Sequence, residues 1–256
     1  MNSFETLTNK IENAKELDFG TIFDQVIELF KKVYLKGFLM LLIAVVFAFV
    51  INIAFTFIGL APKNTLLADG FEMESFYSFF AMNAIYSIPQ TILVTTITMA
   101  LVASFYKICR QTEIGETVVD DYFYFFKKAY FSKLLTLGMI STAISVIAQL
   151  LFVIPAIYVF VPLSYFAIIF ANNPDLSEVE IVKSSFMLGN KKWFLTFGLM
   201  FVFGLLGLLG IVLCVVGMLL TISIVYLPIF FIYKQVIGFE DRSEIEQIGV
   251  KDDSDF

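Results

Sequence analysis

The stretch LLTLGMISTAISVIAQLLFVIPAIYVFVPLSYFAIIFANNP, residues 134–174, decides the architecture. Its 41 residues hold no Asp, Glu, Lys or Arg, although Lys133 stands directly before it and Asp175 directly after. A helix needs about 20 apolar residues to cross roughly 30 Å of hydrocarbon. Forty-one uncharged residues therefore suit two spans joined by almost no loop. Residues 193–233, between Lys192 and Lys234, repeat the pattern over another 41 positions.

Working outward, the whole chain of 256 residues is 59% hydrophobic and 16% charged. Soluble domains are about half apolar and about a quarter charged, so a multi-pass membrane protein is predicted. Six spans emerge, at about 37–60, 84–106, 134–153, 155–172, 193–213 and 215–233. The first 34 residues carry mixed charge and no short apolar core, so 37–60 reads as an uncleaved span. Of the 17 Lys and Arg residues, 16 fall before span one, between spans two and three, between spans four and five, or after span six; Lys63 is the exception. By the positive-inside rule both termini are cytoplasmic. The one substantial external loop, about 61–87, carries Phe76, Tyr77, Phe79 and Phe80, as a short interfacial helix would.

Aromatic-lysine clusters divide the chain. Phe30-Lys31-Lys32-Val33-Tyr34 aligns with Phe126-Lys127-Lys128-Ala129-Tyr130, and more loosely with Asn190-Lys191-Lys192-Trp193-Phe194. Upstream of each stands a Ser or Thr with an acid three residues on: Thr21 and Asp24, Thr117 and Asp120, Ser177 and Glu180. This is a helix-start signature. Between start and lysines, Ile22, Val26 and Phe30 recur at helical spacing, matched by Val118, Tyr122 and Phe126; Val179, Val182, Phe186 and Met187 make a third stripe. Such stripes predict amphipathic helices lying in the cytoplasmic interface. The fold expected is an all-α integral membrane bundle of six transmembrane helices, built as three repeats of amphipathic helix plus hairpin. Residues 1–20 would be a cytoplasmic segment and 21–238 the membrane domain, with units at about 21–107, 117–174 and 177–238. Residues 239–256, with seven acids against Arg242 and Lys251, would form a flexible cytoplasmic tail.

Several segments carry a resemblance: Val153-Ile-Pro155-Ala-Ile-Tyr158, Phe170-Ala-Asn-Asn-Pro-Asp175-Leu-Ser177, Ile181-Val-Lys-Ser-Ser185, Leu188-Gly-Asn-Lys-Lys-Trp193-Phe and Tyr226-Leu-Pro228. Residues 152–237 resemble a poorly characterised group of prokaryotic six-span membrane proteins. The group includes the membrane domain fused to some glycerophosphodiester phosphodiesterases and stand-alone families of unknown function. The resemblance implies a six-helix membrane fold in the inner membrane of a bacterium. It implies no catalytic residue, since the fused enzymes keep catalysis in a separate soluble domain.

The chemistry in the sequence is sparse. There is no histidine, which removes Ser-His and Cys-His catalysis and histidine metal sites. Cys109 and Cys214 lie at different predicted depths, against a disulfide. Asp120-Asp121 reads as a helix start rather than a metal site. No ionisable residue falls inside a span, which argues against proton coupling. The strongest intramembrane polar residues are Asn52, Gln90 and Gln149, expected to bond between helices. Gly204, Gly207, Gly210 and Gly217 point to close helix packing, and Pro155, Pro162 and Pro228 to helix breaks. Lys31, Lys32, Lys127, Lys128, Lys191 and Lys192, with Trp193, are read as interface anchors meeting anionic lipid headgroups. Nucleic acid is excluded as a partner because acids outnumber bases. No cofactor is implied. The leading expectation is a non-enzymatic accessory or scaffold subunit that docks other membrane proteins. The alternative is a transporter or binding protein for an uncharged or lipid-like molecule, which requires a cavity between hairpins lined by groups such as Asn52 or Gln149. A membrane-embedded enzyme ranks last.

Overall fold

The computed structural model describes residues 3–59, 87–116, 120–151 and 153–239. Among these there is no strand. The helices are α1 (Ser3–Glu12), α2 (Phe19–Phe57), α3 (Ile88–Ile114), α4 (Lys128–Leu150), α5 (Val153–Ser164), α6 (Phe166–Asn172), α7 (Glu178–Lys191), α8 (Trp193–Leu208), α9 (Cys214–Thr221) and α10 (Leu227–Val236). Among the described residues six segments are long and apolar enough to cross a membrane: Phe19–Phe57, Ile88–Ile114, Lys128–Leu150, Ile154–Asn172, Trp193–Ile211 and Gly217–Val236. The protein is thus an all-α, multi-pass membrane protein. Lys63, Thr117 and Val118, the aromatic loop at 76–80 and the acidic tail from Glu240 onward lie outside the described residues.

The segments before the lysine clusters depart from expectation, each in its own way. The first joins its span in one 39-residue helix, about 58 Å long at 1.5 Å per residue. Its cap is Asp18 rather than Thr21, whose backbone N–H and hydroxyl both donate to the Asp18 carboxylate, at 2.7 and 2.8 Å. Ile22, Val26, Leu29, Val33, Gly37 and Met40 form a continuous buried seam. The apolar stripe is therefore covered by protein. The second segment is a turn and a short 3-10 helix, Tyr124–Phe126. Asp121 accepts the Phe123 backbone N–H at 3.0 Å, a local bond that favours a turn over a helix. Tyr122 is buried and donates to the Lys36 carbonyl at 3.1 Å, and Phe126 stacks on Phe47 of α2.

The third segment is the helix expected, started by a full capping box between Ser177 and Glu180. Its buried face is nonetheless Ile181, Ser184, Ser185, Leu188 and Gly189, while Val179 is 59% exposed. Small side chains let α7 close against α5: a Cβ at Gly189 would stand 2.7 Å from the Pro162 Cα. Pro162 lies inside α5, and the helix breaks at Tyr165 before α6 resumes.

α3 runs through the middle, with Met99–Tyr106, Ile108 and Cys109 all buried. It extends two turns past the predicted end at residue 106 and stops at Gly115, whose φ of 73° is the left-handed stop that glycine tolerates. Around it pack α2, α4 and α6. Polar ties gather where the lysines lie: Lys234 pairs with Glu113 at 2.6 Å and Lys36 with Asp120 at 3.1 Å. Lys133 donates to the carbonyls of Pro174 and Leu176, both at 2.7 Å.

Candidate functional site: an intramembrane cavity

Beyond the tightly packed core the helices separate around a cavity of about 860 Å³. Helices α3, α4, α5 and α8 supply most of its wall, with Leu41 of α2, Ala167 of α6 and Ile229 of α10. α3 contributes Thr95, Thr98 and Met99; α4 contributes Ser141, Ser145 and Gln149; α5 contributes Val159, Phe160 and Leu163. α8 adds Phe197, Met200, Phe201, Gly204 and Leu208, and the chain leading into α10 adds Ile222 and Tyr226. No ionisable Asp, Glu, Lys or Arg is among the lining residues. The volume falls within the range of about 300–1,000 Å³ typical of small-molecule sites, and so does the mix of apolar wall and few polar groups.

Two tyrosine hydrogen bonds involve the lining residue Tyr226 or chain neighbours of the lining residues Ser164 and Phe197. Tyr106 donates to the Tyr226 carbonyl at 3.1 Å, and the Tyr165 and Thr196 hydroxyls share a bond of 2.7 Å. The cavity is open on one side: Gln149 is exposed, as are Phe160, Phe201, Leu205 and Leu208 at 51%, 58%, 52% and 45%. These last four also line the cavity, so it reaches the surface between α5 and α8.

The predicted polar residues part company here. Gln149 lines the cavity, as the alternative reading required. Asn52 is exposed on α2, away from it, and its backbone carbonyl accepts from Thr56. Gln90 carries a buried side-chain oxygen that no described residue bonds. Of the glycines, Gly207 and Gly210 serve close packing: a Cβ at Gly207 would stand 3.0 Å from the Ile222 Cα, and one at Gly210 would meet the Thr221 hydroxyl. Gly204 has open space instead and faces the cavity. The sequence reading passed over Thr95, Thr98, Ser141 and Ser145. The signal was present in α4, where Ser141, Ser145 and Gln149 follow at intervals of four, on one helical face.

The lysine anchors divide too. Lys31 and Lys128 are exposed, Lys32 is exposed and pairs with Glu28 at 3.2 Å, and Lys127 lies 4.5 Å from the Tyr124 ring centre. Lys191 and Lys192 bond the N-terminal segment instead. Lys191 donates to the Glu12 carbonyl at the end of α1, and Lys192 to the Lys15 carbonyl at 2.5 Å. Lys192 is only 8% exposed, and burial with the charge of Lys191 holds its ammonium below the ordinary lysine pKa. These two hold the N-terminal helix. Trp193 donates to the Tyr158 carbonyl at 3.1 Å and stacks on Phe197.

Among the described residues no group of three or more Cys, Asp or Glu side chains could hold a metal ion. Comparison with protein-family models, with curated proteins and with solved structures finds no match.

Proposed function

We propose that the protein binds an uncharged, lipid-like molecule within the membrane, as a carrier or binding protein and without chemical conversion of it. The observation that carries this reading is the 860 Å³ cavity with no charged lining residue. Charged ligands buried in a low-dielectric site need an opposite charge nearby, and the walls supply none. The opening between α5 and α8 gives access from the side, the direction from which a bilayer-dissolved ligand arrives. The accessory-subunit reading relied on the interfacial helices or the acidic tail for docking; the first half of α2 and the inner face of α7 are packed against their own bundle, and the tail lies outside the described residues.

The setting proposed is the inner membrane of a bacterium, with both termini cytoplasmic. Lys31, Lys32, Lys127 and Lys128 then meet anionic headgroups; their exposure supports this. The test of the binding reading is native mass spectrometry of delipidated protein given squalene, a charge-free apolar probe. Gly204→Phe serves as the plugged control, since the new ring would grow into the cavity. Wild type should retain about one probe molecule per chain, and the plugged variant about tenfold less. Equal retention by both, or none by either, would remove the reading.

A further inference from the structure

One wall of the cavity differs from the others. Thr95 and Thr98 of α3 and Ser141, Ser145 and Gln149 of α4 all face into it. Hydroxyls elsewhere on these helices close back onto the carbonyl four residues earlier, as Thr96 does to Ile92 at 2.7 Å and Ser104 to Ala100 at 3.0 Å. Thr112, Ser185 and Thr196 do the same. Such back-bonding is the ordinary way for a helix to satisfy a hydroxyl away from water. None of the five cavity-wall side chains makes a hydrogen bond to a described residue. Thr142, Ser184 and Ser223 also have buried oxygens without a described partner, but they do not line the cavity. The wall set stands apart because a ligand can reach it.

The spacing gives the set a length. From Ser141 to Gln149 is eight residues, about 12 Å along α4. Ser141 is 7% exposed and Gln149 lies at the mouth. A single hydroxyl could satisfy one of these groups and leave the others unpaired at a cost in binding. The rest of the wall includes Phe160, Phe197 and Phe201 and is largely apolar. We infer that the ligand is an uncharged lipid bearing several ester or carbonyl oxygens, whose polar backbone lies along the α4 ladder while its chains lie against α5 and α8. The four hydroxyls and the Gln149 amide donate, and the ligand's oxygens accept. Nothing in the wall would offset the charge of a phosphate or carboxylate. This inference rests on the binding reading above and adds the class of ligand.

The test uses the full chain in detergent with three probes: dioleoylglycerol, squalene and dioleoylphosphatidylglycerol. Each is titrated against wild type and against the combined variant Ser141→Ala, Ser145→Ala, Gln149→Leu. Two of these changes reduce side-chain volume and Gln149→Leu alters it little, and an unchanged thermal midpoint shows that the variant is folded; Ser145→Ala alone is the fallback if it is not. Dioleoylglycerol should bind wild type and weaken about tenfold or more in the variant. Squalene should bind the variant at least as well as wild type, and dioleoylphosphatidylglycerol should bind wild type at least tenfold more weakly than dioleoylglycerol. Squalene binding with dioleoylglycerol unaffected by the variant would overturn the ladder and leave the binding reading standing. Equal binding of the charged lipid would overturn the uncharged class. Failure of every probe would remove both.

Discussion

Gly189→Ala separates a packed α7 from one lying along a membrane surface, because the two arrangements give opposite signs. On a surface helix, alanine in place of glycine gains up to about 1 kcal/mol from helix propensity. In the packed arrangement the new methyl would stand 2.7 Å from the Pro162 Cα and 3.0 Å from its nitrogen. Both are backbone atoms inside α5, so no side chain can rotate out of the way. Overpacking of a well-filled contact costs about 1–3 kcal/mol, and a backbone clash belongs at the upper end. Subtracting the propensity gain leaves a net loss of about 2 kcal/mol. Gly204→Ala is the internal standard, since no atom lies within 4 Å of its added methyl; it should be neutral or gain up to about 1 kcal/mol. Reversible unfolding in mixed micelles of mild detergent and dodecyl sulfate measures both. If Gly189→Ala is as stable as Gly204→Ala, the close approach of α7 to α5 is wrong.

Removing the charge at Lys192 by Lys192→Met should free the N-terminal helix, seen as faster hydrogen exchange across Ser3–Glu12; Lys128→Met should leave that segment unchanged, and equal effects would refute the clamp. A double-mutant cycle of Tyr165→Phe with Thr196→Val should give a coupling of about 0.6 kcal/mol, up to about 1.7; zero coupling would refute the buried bond between them. Acid should weaken the fold through two caps. Bonds from the Thr21 N–H and hydroxyl hold the Asp18 carboxyl below its usual pKa, and bonds with the Ser177 hydroxyl and N–H do the same for Glu180. A carboxyl depressed on folding contributes stability above its unfolded pKa, and that contribution is lost as pH falls through the folded value. Stability should therefore begin to drop below the unfolded values of 4.5 for Glu180 and 3.8 for Asp18. Glu180→Gln should flatten its share of the profile, and an unchanged profile would contradict the cap. In a Cys214→Ser background, maleimide should label the buried Cys109 only after unfolding; rapid labelling of folded protein would contradict the packing of α3.

The spans were legible because charge is expensive in hydrocarbon, so Lys133 and Asp175, or Lys192 and Lys234, bracket hairpins by their absence in between. What covers an apolar stripe was not legible. Ile22, Val26 and Phe30 show that α2 has one apolar face, and the same spacing serves a helix on lipid or a helix against α3 and α10. Hydrophobicity misdirected the reading of α7, since Val179 and Val182 carry the signal while the buried face closes through Ser184, Ser185 and Gly189. Close approach depends on small volume, which an apolar stripe does not record. The segment Tyr122–Phe126 kept its aromatic pattern and lost its helix to the Asp121 turn. The cavity was half visible: Gln149 and its partners share a face in α4, but Thr95, Thr98 and Gly204 join them only when three helices are set side by side.

The central claim, that an uncharged lipid occupies this cavity, is met most directly by photocrosslinking. Membranes containing the protein would be given a diacylglycerol with a diazirine in one chain, irradiated, and the labelled peptides sequenced. The account predicts label concentrated on cavity residues such as Met200, Gly204 and Leu163, and displaced by excess unlabelled dioleoylglycerol. Label spread over outward-facing residues such as Val46, Phe49 and Phe194 in proportion to their exposure, with no displacement, would contradict it.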